Sequence, residues 1–490
     1  MANDVGSAYG DVRTTVARLD RGEVSAVELV DQAIARIEKL DGPINAVIVR
    51  DFDRARDTAK EADRRRAGGQ RAPLLGVPMT VKESYNVMGL PTTWGFPEFK
   101  DNRARDDAAT VARLKEAGAI IVGKTNVPVA LADWQSFNSI YGVTRNPWNL
   151  NYSPGGSSGG SAASLAAGYV PLEIGSDIGG SVRVPSHFCG VFGHKATYGL
   201  IPVRGQSLPG TTRAADLGVC GPMARTAADL DLALGILAGP EREMANGYRL
   251  ALAEPRHADL EDYRVLVLCE HPLVPTRREI ADAVSRFAAR LEKAGVKIAR
   301  SSDLVPDLAH AGRVYLQLLG AETNNRMPPE QRRAIEDAAA KLSPGDDSLH
   351  ALRLRNVNLS HRDWVALDEQ RMRIRAQWGI LFDTFDVVIG PPLSTAAFPH
   401  DFNRDQNDKR VNIDGKEITY VDQLVWPGVA TLAGLPATVA PIARTDDGLP
   451  VGIHIMGAQF DDRTTIAFAG LIERAFGGFK PPPDFAKART

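Results

Sequence analysis

Three cysteines, Cys189, Cys220 and Cys269, are all that the 490 residues contain. They are odd in number and widely spaced, which excludes a disulfide framework or a cysteine-based zinc cluster and fits a reducing compartment. Nor does any stretch reach the ~18 consecutive apolar residues of a membrane span. The first residues, "MANDVGSAYGDVRTTVARLDRG", lack the basic start and apolar run of a secretory leader. The expectation is a cytoplasmic chain without a membrane anchor. An excess of charge is missing too: 58 basic residues face 60 acidic ones, so no global field favours nucleic acid or an acidic membrane surface. No repeat, long low-complexity tract or linker divides the chain, and one domain over 1–490 is expected although length alone would allow more.

What is present is an alternation of amphipathic helices and short apolar strands. Ser25 and Glu28 form a capping-box pattern ahead of a helix to Leu40, with Ala26, Leu29, Val30, Ala33, Ile34 and Ile37 on one stripe. "LLGVPMTVKE" (74–83), "IIVGKT" (120–125), "YVPLEIGSD" (169–177), "YRVLVL" (263–268), "DVVIGPP" (386–392), "ATVAPIA" (437–443) and "VGIHIMG" (451–457) read as strands. Helices are expected at 110–119, 226–237 and 463–476. Residues 278–385 read as mainly helical, with Trp364, Leu367, Ile374, Trp378 and Leu381 on one side of a long segment, 361–382. Strand-rich ends around a helical middle predict an α/β fold built on one sheet.

The chemistry concentrates in "SPGGSSGGSAASLAAGYVPLEIGSDIGGSVRVPS" (153–186), two glycine–serine clusters without a histidine. Residues 155–159 match G-x-S-x-G, the nucleophile elbow of α/β-hydrolases, around Ser157. The preceding "NPWNLNYSP" is turn-like where that motif needs a strand. A phosphate cradle is the second reading, but no G-K-[ST] follows; a plain flexible loop is the third. In the second cluster Ser181 follows a strand and two glycines, where backbone N–H groups can converge on an oxyanion, which makes it the better nucleophile. A serine needs a base. Neither His187 nor His194 has an evident orienting acid in the sequence, whereas Lys82 lies past an apolar strand, where burial would lower its pKa. A lone lysine is more often a surface charge. Arg183 either binds a substrate carboxylate or pairs with Asp177 to brace the turn, the latter being favoured. Cys189, in "HFCGVFG", reads as inert core.

Taken in order, "GVPMTVKES", "GLPTTWG", "VGKTNVP", "GVTRNPWN", "PGGSSGGSAA", "GSDIGGSVRVPSHFCG" and "GLPVGIHIMG" resemble the amidase signature family. The likeness weakens only between about residues 240 and 380. Ser157 and Ser181 stand 24 residues apart, as the family's serine–serine–lysine triad requires. The resemblance implies a central twisted mixed β-sheet covered by helices on both faces. It also implies that Ser181 attacks the carbonyl, that Ser157, on a cis Gly156–Ser157 peptide, relays the proton, and that neutral Lys82 accepts it. Further implied are an oxyanion hole from the N–H groups of Ile178, Gly179, Gly180 and Ser181, and support of Lys82 and Ser157 by Ser158. The sequence departs from the family pattern at Glu83, His194 and Ala196.

The expected reaction is hydrolysis of a C–N amide bond in a small aryl- or alkyl-bearing substrate, with esters or carbamates as side substrates and neither metal nor organic cofactor. Expected pocket walls are Trp134, Gln135, Ser136, Phe137 and Asn138, together with Leu316–Glu322 in the helical region 240–380; the competing reading of Trp134 and Phe137 is core. Two alternatives share the signature: the A-type subunit of a glutamyl-tRNA amidotransferase, which works with partner subunits, and a non-catalytic binding protein on the same fold. Oligomeric state is open, a homodimer being the commonest outcome for such enzymes.

Overall fold

A computed structural model describes residues 8–324, 327–403 and 405–486. The helix Ala26–Ile44 starts at the expected capping box, where Ser25 Oγ accepts the N–H of Glu28 and the Glu28 carboxylate accepts the N–H of Ser25. The predicted apolar stripe is buried, and Asn45 closes the helix in the left-handed conformation. The long helix runs His361–Thr384, capped by Ser360. Leu367, Ile374, Trp378 and Leu381 are buried on one side of it, with Trp364 half-buried.

The strands in chain order are β1 (Val47–Arg50), β2 (Pro78–Lys82), β3 (Ile120–Thr125), β4 (Phe137–Asn138), β5 (Gly142–Val143), β6 (Leu172–Asp177), β7 (Phe192–Lys195) and β8 (Val219–Ala224). They continue as β9 (Arg264–Val267), β10 (Lys297–Ala299), β11 (Val387–Gly390), β12 (Arg410–Ile413), β13 (Lys416–Thr419), β14 (Ala437–Arg444) and β15 (Pro450–Met456). Eleven form one sheet in the order β1-β3-β2-β6-β8-β7-β14-β15-β11-β9-β10, while β4–β5 and β12–β13 are separate pairs. The sheet is mixed. Its middle, from β6 to β11, pairs antiparallel, and β3–β2–β6 and β11–β9–β10 on either side are parallel. The strand β10 was not expected within the helical region; three residues at a sheet edge carry no alternation to read.

Side chains of a strand alternate between faces, and here both faces are covered. Val265, Val267, Val387 and Ile389 belong to the same continuous core as residues of helices Ala26–Ile44, Ala227–Leu237, Arg278–Lys293 and Asp462–Phe476. Their neighbours Leu266 and Val388 pack with helices Leu308–Asn324, His361–Thr384 and Val425–Leu432. On β2, Met79 and Val81 join the first cluster, so Thr80 and Lys82 project to the opposite side. Among the described residues no helix is long and apolar enough to cross a membrane.

Candidate active site

Lys82 ends β2 fully buried. Its Nζ lies 2.7 Å from Ser157 Oγ, 3.0 Å from Ser176 Oγ and 3.4 Å from the Ser176 carbonyl oxygen. Burial pulls the ammonium pKa down to about 7, against the pull of Asp177, Cys220 and Glu173. The amine is therefore substantially uncharged at neutral pH and sits against a hydroxyl.

Ser157 occupies an irregular loop between the turn-like 146–152 segment and the helix Gly159–Ala166. The Gly156–Ser157 peptide is cis. Gly156 is required by close approach, since a Cβ there would run into the carbonyl oxygen of Asp133. The loop is tied down by Ser153 Oγ, which donates to Trp134 O at 2.7 Å, and by Ser136 Oγ, which accepts the N–H of Gly159 at 3.1 Å.

Ser181 lies in the turn between β6 and the helix Arg183–Cys189. Asp177, at the end of β6, organises this turn by accepting the N–H of Gly180 at 2.9 Å and of Val182 at 3.1 Å. Arg183 holds Asp177 through Nε at 3.0 Å and Nη2 at 2.8 Å, and also donates to Pro427 O and Thr431 Oγ1. Both side chains of this ion pair are fully buried. Burial pushes the Asp177 carboxyl up, but the guanidinium and the backbone donors outweigh it and hold the pKa well below the usual carboxylate range. Arg183 thus spends its donors inside the protein, in keeping with a brace. Of the four expected oxyanion donors, Gly180 N–H is already given to Asp177. Among the described residues no acceptor takes the N–H of Ile178, Gly179 or Ser181.

Ser157 and Ser181 face one cavity of about 390 Å³. Its walls include Trp94, Leu131, Trp134, Ile178, Leu319 and Leu424. From the stretch 134–138 only Trp134 reaches it, donating Nε1–H to Gly179 O at 2.9 Å. The other four residues do not line it. Gln135 pairs with the backbone of Asp401, Ser136 braces the serine loop, Phe137 packs on Phe402, and Asn138 donates to Asn126 and Val127. The chain passes behind the cavity there, so only one side chain in five points forward. From Leu316–Glu322, Leu319 and Glu322 line the cavity while Leu316 turns into the core. Each acidic residue of the wall has a cation: Asp133 with Lys409 at 2.7 Å, Glu322 with Arg213 at 2.6 Å, and Asp177 with Arg183.

Two more expectations need correcting. Ser158 Oγ contacts neither Lys82 nor Ser157; it lies 3.5 Å from Ser176 O, because its side chain leaves the loop on the β6 side, and only its N–H reaches Ser181 O. His194 does have an orienting acid, Asp462 at 3.0 Å, which arrives from 268 residues later in the chain. Neither His194 nor His187 lines the cavity. Burial depresses His187 to about 4, and both its ring nitrogens are engaged, with Thr395 O and the Gly452 N–H. Cys189 is fully buried and its thiol pKa is pushed up by burial.

Sequence reasoning missed Ser176, the second hydroxyl on Lys82. It stands five residues ahead of Ser181 in "GSDIGGS", and no local pattern sets it beside Lys82. Gln206 and the Asp133–Lys409–Tyr420 cluster were missed as well; they assemble only in three dimensions.

An amidase family model matches residues 28–466. The chain is 32% identical over 502 residues to the A-type subunit of the glutamyl-tRNA(Gln) amidotransferase of Roseiflexus sp. (strain RS-1), covering 95% of this chain and 96% of that protein. It is 31% identical to the fatty-acid amide hydrolase 2-A of Danio rerio, covering 95% of this chain and 88% of that one. The crystal structure of a bacterial aryl acylamidase superposes with a TM-score of 0.81 at 25% identity, over 98% of this chain and 99% of that chain. A match of this extent, on a fold that draws its glycine–serine loops together beside a buried lysine, means that the chain belongs to the amidase signature family.

Proposed function

We propose that this amidase hydrolyses small neutral amides through an acyl-enzyme on Ser181. The observation that carries the reading is the 2.7 Å contact between a desolvated Lys82 and Ser157, the latter lining the same cavity as Ser181. Ser181 Oγ attacks the carbonyl carbon as its proton passes to Ser157, whose own proton goes to the Lys82 amine. The oxyanion is held by the N–H groups of Ile178, Gly179 and Ser181. The C–N bond then breaks, the leaving nitrogen takes the proton back along the same path, and water repeats the sequence to release the acid.

The apolar walls suit an aryl or alkyl group, and paired carboxylates leave no net charge to recruit an ion. The chain works as one catalytic unit, in the cytoplasm, alone or paired with a copy of itself. The helical region shapes the pocket through Leu319 and Glu322. Activated esters and carbamates enter the same chemistry. A role like that of the tRNA-dependent amidotransferase's A-type subunit is the second reading, favoured by several relatives of that name at 32% identity. The test is kcat/KM of the purified chain on anilides, primary amides, aryl esters and aryl carbamates, with fluorophosphonate labelling. Hydrolysis of anilides and labelling lost in Ser181→Ala are expected. No turnover of any amide without added partners would overturn the reading in favour of the amidotransferase role, and intact labelling of Ser181→Ala would move the nucleophile.

A further inference from the structure

The strands β2 and β6 pair only at Met79 and Leu172. At their other ends, where Lys82 and Ser176 emerge, a side chain from outside the sheet joins Ser176 to the segment after Lys82. Gln206 Nε2 lies 3.0 Å from Ser176 Oγ and 3.3 Å from Ser84 Oγ. A primary amide nitrogen has two hydrogens, so it serves both hydroxyls at once. Ser84 is buried two residues after Lys82, and Ser176 Oγ is itself 3.0 Å from Lys82 Nζ. Gln206 is half-buried and lines the cavity beside Ser157 and Ser181.

We infer that Gln206 is a positioning residue for the base, acting through Ser176 to hold Lys82 against Ser157. The inference rests on the proposed role of Lys82. Two consequences follow from the chemistry of the contact. First, the amide donates to one of the two lone pairs of the Ser176 oxygen, which polarises that hydroxyl and leaves its own proton free to be donated to an uncharged Lys82 amine. The neutral amine, the form that accepts a proton, is favoured. Second, the bridge fixes the spacing of Lys82 and Ser176 where the sheet's own hydrogen bonds have stopped. The other ionisable groups facing Lys82 are Asp177 and Glu173 from β6 and Cys220 from β8, with Tyr85 donating to Gly175 O beside them. None of these is touched by a change at Gln206.

The test is the pH profile of kcat/KM on one activated anilide for the parent, Gln206→Glu and Gln206→Leu. In Gln206→Glu a carboxylate of the same shape replaces the donor. Its charge favours the ammonium, so the acid limb shifts upward by about one pH unit or more, a tenfold loss at a pH on the limb. Gln206→Leu removes the donor to Ser176 and shifts the limb the same way by less, with a lower plateau. Limbs that stay at the parent's position in both variants overturn the inference. So does a Gln206→Glu enzyme that changes only KM, since Gln206 would then be a substrate contact. Failure of the Lys82 reading itself looks different: the parent's acid limb would persist in Lys82→Ala.

Discussion

Lys82 and Lys195 are both fully buried, and burial pulls both to a pKa of about 7, yet their amines meet different partners, which suits only Lys82 to the proposed role of base. Lys82 meets two hydroxyls, Ser157 and Ser176. Lys195, on β7, meets two carbonyl oxygens, Leu435 O at 2.8 Å and Ala196 O at 3.2 Å. A carbonyl only accepts, so the neutral Lys195 amine has no proton to take. A hydroxyl can also donate, which lets the Lys82 amine draw a proton from Ser157. The comparison teaches that desolvation makes an uncharged lysine, and the partner decides whether it does chemistry. It also separates a base from a lysine whose amine caps backbone behind the Asp177–Arg183 pair.

The most severe way to break the comparison is to remove the chemistry on the Lys82 side. Ser181→Ala and Lys82→Ala should each lower kcat/KM by on the order of 10⁴-fold or more. The parent's rate should fall as pH drops through about 7, because Lys82 then charges and cannot accept a proton. That limb should vanish from the residual rate of Lys82→Ala. Lys82→Arg should be no better than alanine, since a guanidinium stays protonated. A Lys82→Arg enzyme with near-parental rates would end the assignment. Next, Ser176→Ala makes Lys82 more like Lys195 by leaving it one hydroxyl and a carbonyl. Loss of a hydrogen bond worth about 1.5–3 kcal/mol corresponds to a fall of roughly 10- to 100-fold. Activity within twofold of the parent would show that Ser157 alone suffices.

A milder test lies on the Lys195 side. An unfolded lysine titrates near ~10.4, and Lys195 in the fold near 7. Between those values the unfolded chain binds a proton that the folded chain does not, so this group's contribution to stability increases as pH is raised from 7 toward 10. Lys195→Met should flatten part of that rise in urea unfolding at pH 7, 8 and 9, to which Lys82 and Lys124 contribute with the same sign. The kinetic acid limb should stay in place. Its disappearance in Lys195→Met would mean that the two lysines had been assigned the wrong way round.

The comparison also marks what could be read from residues alone. The strand that carries Lys82 was legible, and Ser181 stood out by the glycines before it, whereas the grouping of Lys82 with Ser157 and Ser181 came only from the resemblance of the ordered motifs. The Ser25 capping box and the stripe on His361–Thr384 were legible without it, since period and cap are local. The pocket wall was not. Asp133 is paired with Lys409 and accepts a hydrogen bond from Tyr420, which come 276 and 287 residues later, and no pattern near 133 announces them. His194 and Asp462 escaped for the same reason. In 134–138 the residue types suited a binding wall, but the chain runs behind the cavity, so direction and not composition decided which side chain counted.

The smallest effect is expected at Ser158, whose position in "GGSSGG" beside Ser157 suggests a larger one. Its hydroxyl has a single contact, 3.5 Å to Ser176 O, at the outer limit of a hydrogen bond. Its connection to Ser181 is through the backbone, N–H to Ser181 O at 3.1 Å, and alanine keeps that bond. Ser158→Ala should therefore retain kcat/KM within about threefold, the equivalent of roughly 0.7 kcal/mol. The acid limb should stay at the parent's pH, because Lys82 loses no partner. Measured beside Ser176→Ala on the same anilide, the pair separates two neighbouring hydroxyls by whether they touch the amine. A loss in Ser158→Ala as large as that in Ser176→Ala would mean that the Ser158 hydroxyl rotates onto Lys82 or Ser157 during turnover, and contact with the amine would then cease to distinguish the residues that matter.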